Sequence, residues 1–186
     1  CIRDRILPYY QFINGDCEEF FAEVENLSLP LGRLNKIEKG NIYIDYAHTP
    51  KALESVCKCL FKKKKNKLII VFGAGGERDK GKRALMGEDA DKYCEKIYIT
   101  DDNPRNEDPQ QIANMIVDGI KGSDKISMEL DRARAIKNAI NELSEGDILL
   151  IAGKGHEKKQ IIGDKCSDFS DYEEVKKCIF WVKINL

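Results

Sequence analysis

Lys67-Leu68-Ile69-Ile70-Val71-Phe72-Gly73-Ala74-Gly75-Gly76 decides the fold. Its Leu-Ile-Ile-Val-Phe core has no polar alternate, so neither face of the strand it forms can meet water. Such continuous apolar runs belong to strands of a parallel sheet covered on both sides by helices. Asp147-Ile148-Leu149-Leu150-Ile151-Ala152 is a second run of the same kind, and it too ends in a glycine-rich stretch.

Working outward, strand and helix patterns alternate. Residues 41–46 read as a strand. Residues 50–61 read as a helix with Leu53, Val56, Cys57 and Leu60 on one face. Residues 82–93 form a helix, 96–100 a strand, 109–120 a helix, 125–128 a weak strand, and 131–143 a helix opening on an Asp cap. Gln160-Ile161-Ile162 is a short late strand turning at Gly163-Asp164, and a last helix covers 171–181. The expected fold is α/β: a Rossmann-like, doubly wound, mostly parallel sheet of about six strands with one late antiparallel edge strand.

Residues 1–31 lack this alternation. Asp16 to Asn26 sets Cys17, Phe20, Phe21 and Val24 at helical spacing, and Leu29-Pro30-Leu31-Gly32 breaks the pattern. This segment is expected to close a preceding domain and form a hinge, with a second domain over 32–186. The chain opens on Cys1 without an initiator Met, which fits a fragment of a longer protein.

Composition narrows the function. Lys plus Arg total 31 against 32 Asp plus Glu, a net charge of −1, so no global charge favours nucleic acid or a membrane surface. The run Lys62-Lys63-Lys64-Lys65 sits between a helix and a strand and reads as a solvated loop. No apolar run approaches the ~20 residues of a membrane span, and no signal peptide is visible. Seven Cys without framework spacing fit reduced, mostly buried thiols in a cytoplasmic protein, and a monomer is expected.

Polar chemistry collects after four strands. These stretches are Asp45-Tyr46-Ala47-His48-Thr49-Pro50, the glycine loop from Gly73 to Arg83, Thr100-Asp101-Asp102-Asn103-Pro104-Arg105, and Gly153-Lys154-Gly155-His156-Glu157. If the strands are parallel, the four loops converge at one edge of the sheet, where open α/β folds place ligands. The glycine loop completes neither nucleotide motif: Arg78 stands where a dinucleotide fingerprint needs its third glycine, and Arg83 where a P-loop needs Ser or Thr. Arg83 could instead fork a carboxylate. Asp45 and His48 suit a ribose or phosphates, although Asp45 could also cap the helix at Pro50. His156 beside Glu157 is too little for zinc, so no metal site is expected.

Together these stretches resemble the C-terminal domain of the Mur ligases, ATP-dependent enzymes that add amino acids during peptidoglycan synthesis. Asp102-Asn103-Pro104-Arg105 resembles the branch that adds meso-diaminopimelate to UDP-N-acetylmuramoyl-L-alanyl-D-glutamate. The resemblance runs from about Gly32 to the C-terminus. It implies that Arg83, Asn103, Arg105, Gly153 and Glu157 contact diaminopimelate, with Asp102, Pro104 and Asn106 beside them. It also implies that Arg33, Asp45 and His48 approach the nucleotide, while ATP and Mg2+ are held mainly by a central domain absent from this chain. The implied reaction phosphorylates the glutamate side chain and forms an amide through an acyl phosphate. A lysine-adding or folylpolyglutamate-type ligase is the nearest rival reading, and a non-catalytic Rossmann nucleotide-binding module the next.

Overall fold

In the computed structural model, residues 32–37 and 40–184 are described. The helix and hinge expected over 1–31 lie outside them. Six strands form one sheet: β1 (Asn35–Lys36), β2 (Ile42–Asp45), β3 (Leu68–Phe72), β4 (Lys96–Ile99), β5 (Ile126–Met128) and β6 (Ile148–Ala152), in the order β1-β2-β6-β3-β4-β5. Every pairing is parallel except β1 with β2.

Both apolar runs lie at the centre of this sheet. All five residues of β3 and all five of β6 are buried. Because successive side chains of a strand point to opposite faces, the runs feed two separate cores. Leu68, Ile70, Phe72 and Leu150 pack with Leu53, Cys57 and Leu60 of α1 (Pro50–Phe61), Met86 and Ala90 of α2 (Gly81–Tyr93), and Ile112 and Ile116 of α3 (Pro109–Val117). Ile69, Val71, Leu149 and Ile151 pack with Ala135, Ile136 and Ala139 of α4 (Arg132–Glu142), and with Val175 of α5 (Asp171–Ile184). A sheet with helices on both faces is the doubly wound arrangement.

Helix starts follow local chemistry. Thr49 caps α1 and Asp108 caps α3, each just before a proline, and Asp131 caps α4 by accepting from the Arg134 amide. Thr49, not Asp45, therefore caps α1.

The late strand departs from expectation. β7 (Lys159–Ile162) pairs antiparallel with β8 (Lys165–Asp168) in a hairpin of its own, and the antiparallel edge of the main sheet is the two-residue β1. β8 has no apolar alternation to announce it, since Lys165-Cys166-Ser167-Asp168 is exposed throughout. The free thiols also divide differently: Cys57 and Cys94 are buried, Cys59 and Cys178 half-buried, and Cys166 exposed. Among the described residues, no helix is long and apolar enough to cross a membrane.

Candidate functional site

Parallel register levels the carboxyl ends of four strands. Asp45 lies opposite Ala152, Val71 opposite Ile151, and Phe72 opposite Ile99. The four polar loops leave from one edge as a consequence. Glycine lets them run side by side: a Cβ on Gly73 would sit 2.0 Å from the Thr100 carbonyl oxygen, and one on Gly76 would sit 1.8 Å from that of Pro104. Those neighbours are backbone, so no rotamer change could make room.

The glycine loop and the 102–105 loop are bonded together. The Gly76 amide donates to the Asn103 carbonyl at 2.9 Å, and Nη1 of Arg105 donates to the Gly76 carbonyl at 2.8 Å and that of Asn103 at 3.3 Å. Asn106 donates to Glu77 at 2.9 Å. Arg105 itself has φ of 53°, a left-handed conformation that a non-glycine residue adopts only when its surroundings impose it. The β7–β8 hairpin imposes it: the Arg105 amide donates to Ile161 O at 3.1 Å, and Gly163 N donates to Arg105 O at 2.7 Å.

Asn103 is the junction of the site. Its Oδ1 accepts from Lys154 Nζ at 3.1 Å and from the Ile161 amide at 3.0 Å, while its Nδ2 donates to Glu157 Oε2 at 3.0 Å. Two donors on one end and an acid on the other leave the amide a single orientation. Lys154 Nζ also reaches Glu157 Oε2 at 3.2 Å and lies 3.8 Å from Asp102 Oδ1. Burial raises the Asp102 carboxyl above its usual range, against the pull of Arg132 and Lys154. Gly153, at φ of 110°, is required beside it, because a Cβ there would lie 2.6 Å from Asp102 Oδ2.

Arg83 is the residue that the structure reassigns. It is wholly buried, and its fork closes on Glu107: Nη1 to Oε2 at 2.9 Å and Nη2 to Oε1 at 3.0 Å. Nη2 also donates to the Gly75 carbonyl at 3.2 Å. Arg83 does clamp a carboxylate, but one from its own chain. Arg78, in contrast, is exposed and makes no ion pair among the described residues. Gly75 separates it from Arg105: a Cβ there would be 3.3 Å from Arg105 Nη1 and 3.6 Å from Arg78 Cγ.

Arg33, Asp45 and His48 gather around Tyr46. The Arg33 guanidinium lies 5.0 Å over the Tyr46 ring, and the His48 ring meets it edge-on at 4.5 Å. His48 Nδ1 is 2.9 Å from Tyr46 O, a contact that requires the proton on Nδ1. Asp45 is largely consumed by backbone, accepting from Leu34 N and Ala47 N at 2.7 Å each. Its carboxyl is raised by burial, against those two amides and Arg33. Lys82 ties this loop to the glycine helix by donating to His48 O at 3.0 Å.

Several residues escaped the sequence reading. Glu107 lies 24 positions after Arg83, and nothing local announces the pairing. Lys154 stands inside a glycine-rich stretch, where a lysine ordinarily reads as solvated. Gln160 holds the 102–105 loop by donating to Asp102 O at 3.1 Å from a strand that the sequence placed at the sheet edge. A cleft of about 660 Å3 lies between Gly155, His156 and Lys158 and the start of α5, and none of Arg83, Asp102, Asn103, Arg105, Gly153 or Glu157 lines it. Among the described residues, no group of three or more His, Cys, Asp or Glu could hold a metal ion.

Comparison with known proteins identifies the family and the fold. The family model described as Mur ligase, glutamate ligase domain, matches residues 32–155. A UDP-N-acetylmuramoyl-L-alanyl-D-glutamate–2,6-diaminopimelate ligase of Rickettsia rickettsii is 49% identical over 175 residues, covering 93% of this chain and 36% of its own. The enzyme of that name from Aquifex aeolicus is 50% identical over 142 residues, covering 76% and 30%. A solved structure of a ligase of the same name superposes with a TM-score of 0.78 at 38% identity, covering 95% of this chain and 37% of that one. A folylpolyglutamate synthase of Mycobacterium tuberculosis complexed with ADP and AMPPCP superposes at 0.56 with 19% identity, over 69% of this chain and 30% of its own, a likeness of fold. The chain spans about a third of the length of the curated relatives it matches. With the glutamate ligase domain matched over most of its length, this chain belongs to the Mur ligase family.

Proposed function

We propose that this chain is the C-terminal, amino-acid-presenting domain of a cytoplasmic ATP-dependent ligase that adds meso-diaminopimelate to UDP-N-acetylmuramoyl-L-alanyl-D-glutamate. In this reading residues 32–186 are that domain, and 1–31 end the central ATPase domain and its hinge. ATP phosphorylates the glutamate side-chain carboxyl of the nucleotide substrate. The diaminopimelate amine attacks the acyl phosphate, an amide forms, and ADP and phosphate leave. Mg2+ accompanies ATP in the central domain, and no step is assigned through it.

The observation that carries this reading is Arg105 held in a left-handed conformation beside Asn103 and Glu157. Nη1 of Arg105 is spent on two carbonyls, which fixes the guanidinium and leaves Nε and Nη2 to fork a carboxylate. Oε1 of Glu157 is free to accept from an ammonium, because its hydrogen bonds from Asn103 and Lys154 go to Oε2. One fork and one acceptor match the distal carboxylate and ammonium of diaminopimelate. Lysine lacks that carboxylate and would leave Arg105 unpaired, which is how a site rejects a near-analogue strongly. At the exposed rim, Arg78 offers the second guanidinium that Arg83, closed on Glu107, does not.

Arg33 and His48 flank Tyr46 as a patch for the nucleotide when the domains close, shielding the acyl phosphate from water. The test is ligation by the full-length protein with meso-diaminopimelate against L-lysine. Strong preference for diaminopimelate is expected, and equal use of lysine overturns the reading. This chain alone is expected to catalyse no ligation.

A further inference from the structure

Four charged side chains surround Asn103. Asp102 and Glu157 are acids; Lys154 and Arg105 are cations. Lys154 is wholly buried, and its ammonium is directed at Asn103 Oδ1 (3.1 Å), Glu157 Oε2 (3.2 Å) and Asp102 Oδ1 (3.8 Å). Arg132, behind Asp102, is paired with Asp171, so that those two add no net charge although Arg132 still pulls on the Asp102 carboxyl; Lys82 is turned to His48 O, and Arg78 stands in solvent, where screening weakens it. Around Asn103, two negative and two positive side chains therefore balance, Asp102 and Lys154 buried and Glu157 and Arg105 half-buried.

Building on the reading above, we propose that Lys154 is a positioning and specificity-determining residue, a resident cation that makes the pocket neutral and so selects the neutral, zwitterionic end of diaminopimelate. Diaminopimelate brings one ammonium and one carboxylate to this end, a net charge of zero. Lysine brings a lone ammonium, a net charge of +1. A neutral pocket favours the first. Without Lys154 the pocket carries one surplus negative charge, which a lone ammonium meets better. Lys154 thus acts against lysine by charge, while Arg105 acts against it by an unmet fork; specificity of this kind combines attraction for the right ligand with a penalty for the wrong one.

Lys154 also fixes Asn103 and, through it and directly, the Glu157 carboxylate that faces the ligand. A buried ammonium unites the acceptor end of Asn103 and one oxygen of Glu157, so Asn103 cannot turn its amide over without facing Lys154 and Ile161 N with donors. Glu157 is left with one presentable oxygen. Charge and orientation come from the same atom.

The experiment is steady-state ligation by the full-length enzyme carrying Lys154→Met, with Lys154→Gln beside it. Gln can keep a donor near Asn103 without the charge, so it covers the case in which the Met variant does not fold. In both, KM for diaminopimelate is expected to rise by roughly tenfold or more with a smaller change in kcat. The kcat/KM ratio of diaminopimelate over lysine is expected to fall by at least about tenfold. Adding Glu157→Gln to Lys154→Met restores neutrality and should recover part of that ratio. Equal losses on both amino acids, or an unchanged ratio in a folded variant, overturn the proposal. If the wild-type enzyme prefers some other amino acid, the function proposed above fails first. The crystal structure of the full-length Lys154→Met protein then decides about Lys154: a turned Asn103 amide and a displaced Glu157 support its role, and both groups unmoved overturn it.

Discussion

The guanidinium of Arg83 closes on the carboxylate of Glu107 at 2.9 and 3.0 Å, joining the start of α2 to the loop that precedes α3. Both neighbouring segments belong to the candidate site, since Arg83 also holds the Gly75 carbonyl and Glu107 accepts from the Glu77 amide. The pair therefore braces the glycine loop. Hydrogen bonds from Arg83 and then from Glu77 N hold the Glu107 carboxyl down at about 2, from 4.5. A depressed folded value makes this contribution to stability complete above about pH 4.5 and lost as pH falls toward 2. Glu107→Gln should consequently flatten the acid limb of the stability profile in that window, measured by denaturant unfolding from pH 5 down to pH 2. An acid limb identical to wild type would remove the pair from the account. Arg83→Lys should cost about 1–3 kcal/mol, because an ammonium cannot fork the carboxylate.

Arg105 is expected to behave differently from Arg83. Its Nη1 bonds only to loop carbonyls, so truncation leaves no carboxylate of the protein unpaired. Arg105→Ala should weaken diaminopimelate use by about 2–5 kcal/mol in kcat/KM while changing the melting temperature little. Arg105→Lys should recover only a small part, since one point charge replaces two aligned donors. An unchanged apparent affinity in Arg105→Ala would sink its assigned role.

Much of this was legible in the chain. The runs at 68–72 and 148–152 read as strands buried on both faces, and the helix starts at Asp108 and Asp131 were readable, whereas the cap of α1 fell on Thr49 and not on Asp45. The convergence of four loops followed from strands being parallel. What sequence could not deliver was pairing across space. Arg83 read as free because its partner comes from another loop, and β8 was invisible because an exposed hairpin strand needs no apolar alternation. Lys154 was passed over since a lysine announces its burial only through the acids and amide that surround it.

Asp101 provides a pH-dependent check with the opposite sign. Burial lifts its carboxyl to about 6, with Asp102 and Asp131 adding to the rise and Arg132 opposing it. The unfolded chain gives up this proton near 3.8 while the folded one keeps it, so the folded state binds more protons in between. Stability must therefore fall as pH rises from about 4 to about 6 through this group. Asp101→Asn removes that slope without removing the side chain's shape. The stability difference between wild type and Asp101→Asn, followed by denaturant unfolding across this range, should shift in favour of the variant as pH rises. A difference that stays constant would show that the carboxyl does not titrate there.

Arg132 makes the strongest structural prediction. It and Asp171 are both wholly buried, paired Nε to Oδ1 at 2.7 Å and Nη2 to Oδ2 at 2.9 Å. The same guanidinium donates to Ala152 O at 2.9 Å and Asp101 O at 3.3 Å, the carbonyls immediately before Gly153 and Asp102. One buried cation thus holds the roots of two site loops and the first residue of α5. Removing its counter-ion by Asp171→Ala leaves the charge uncompensated and should cost about 3–5 kcal/mol of stability. Replacing both partners with apolar residues of similar volume should recover most of that, because desolvation of the pair offsets much of its attraction. The function should not recover with it: without the shared anchor, the loops lose their register, and KM for the amino acid should stay raised in the stable double variant. Urea unfolding and ligation kinetics on the same two variants separate the effects. A double variant that regains both stability and wild-type KM would show that the pair only fills space.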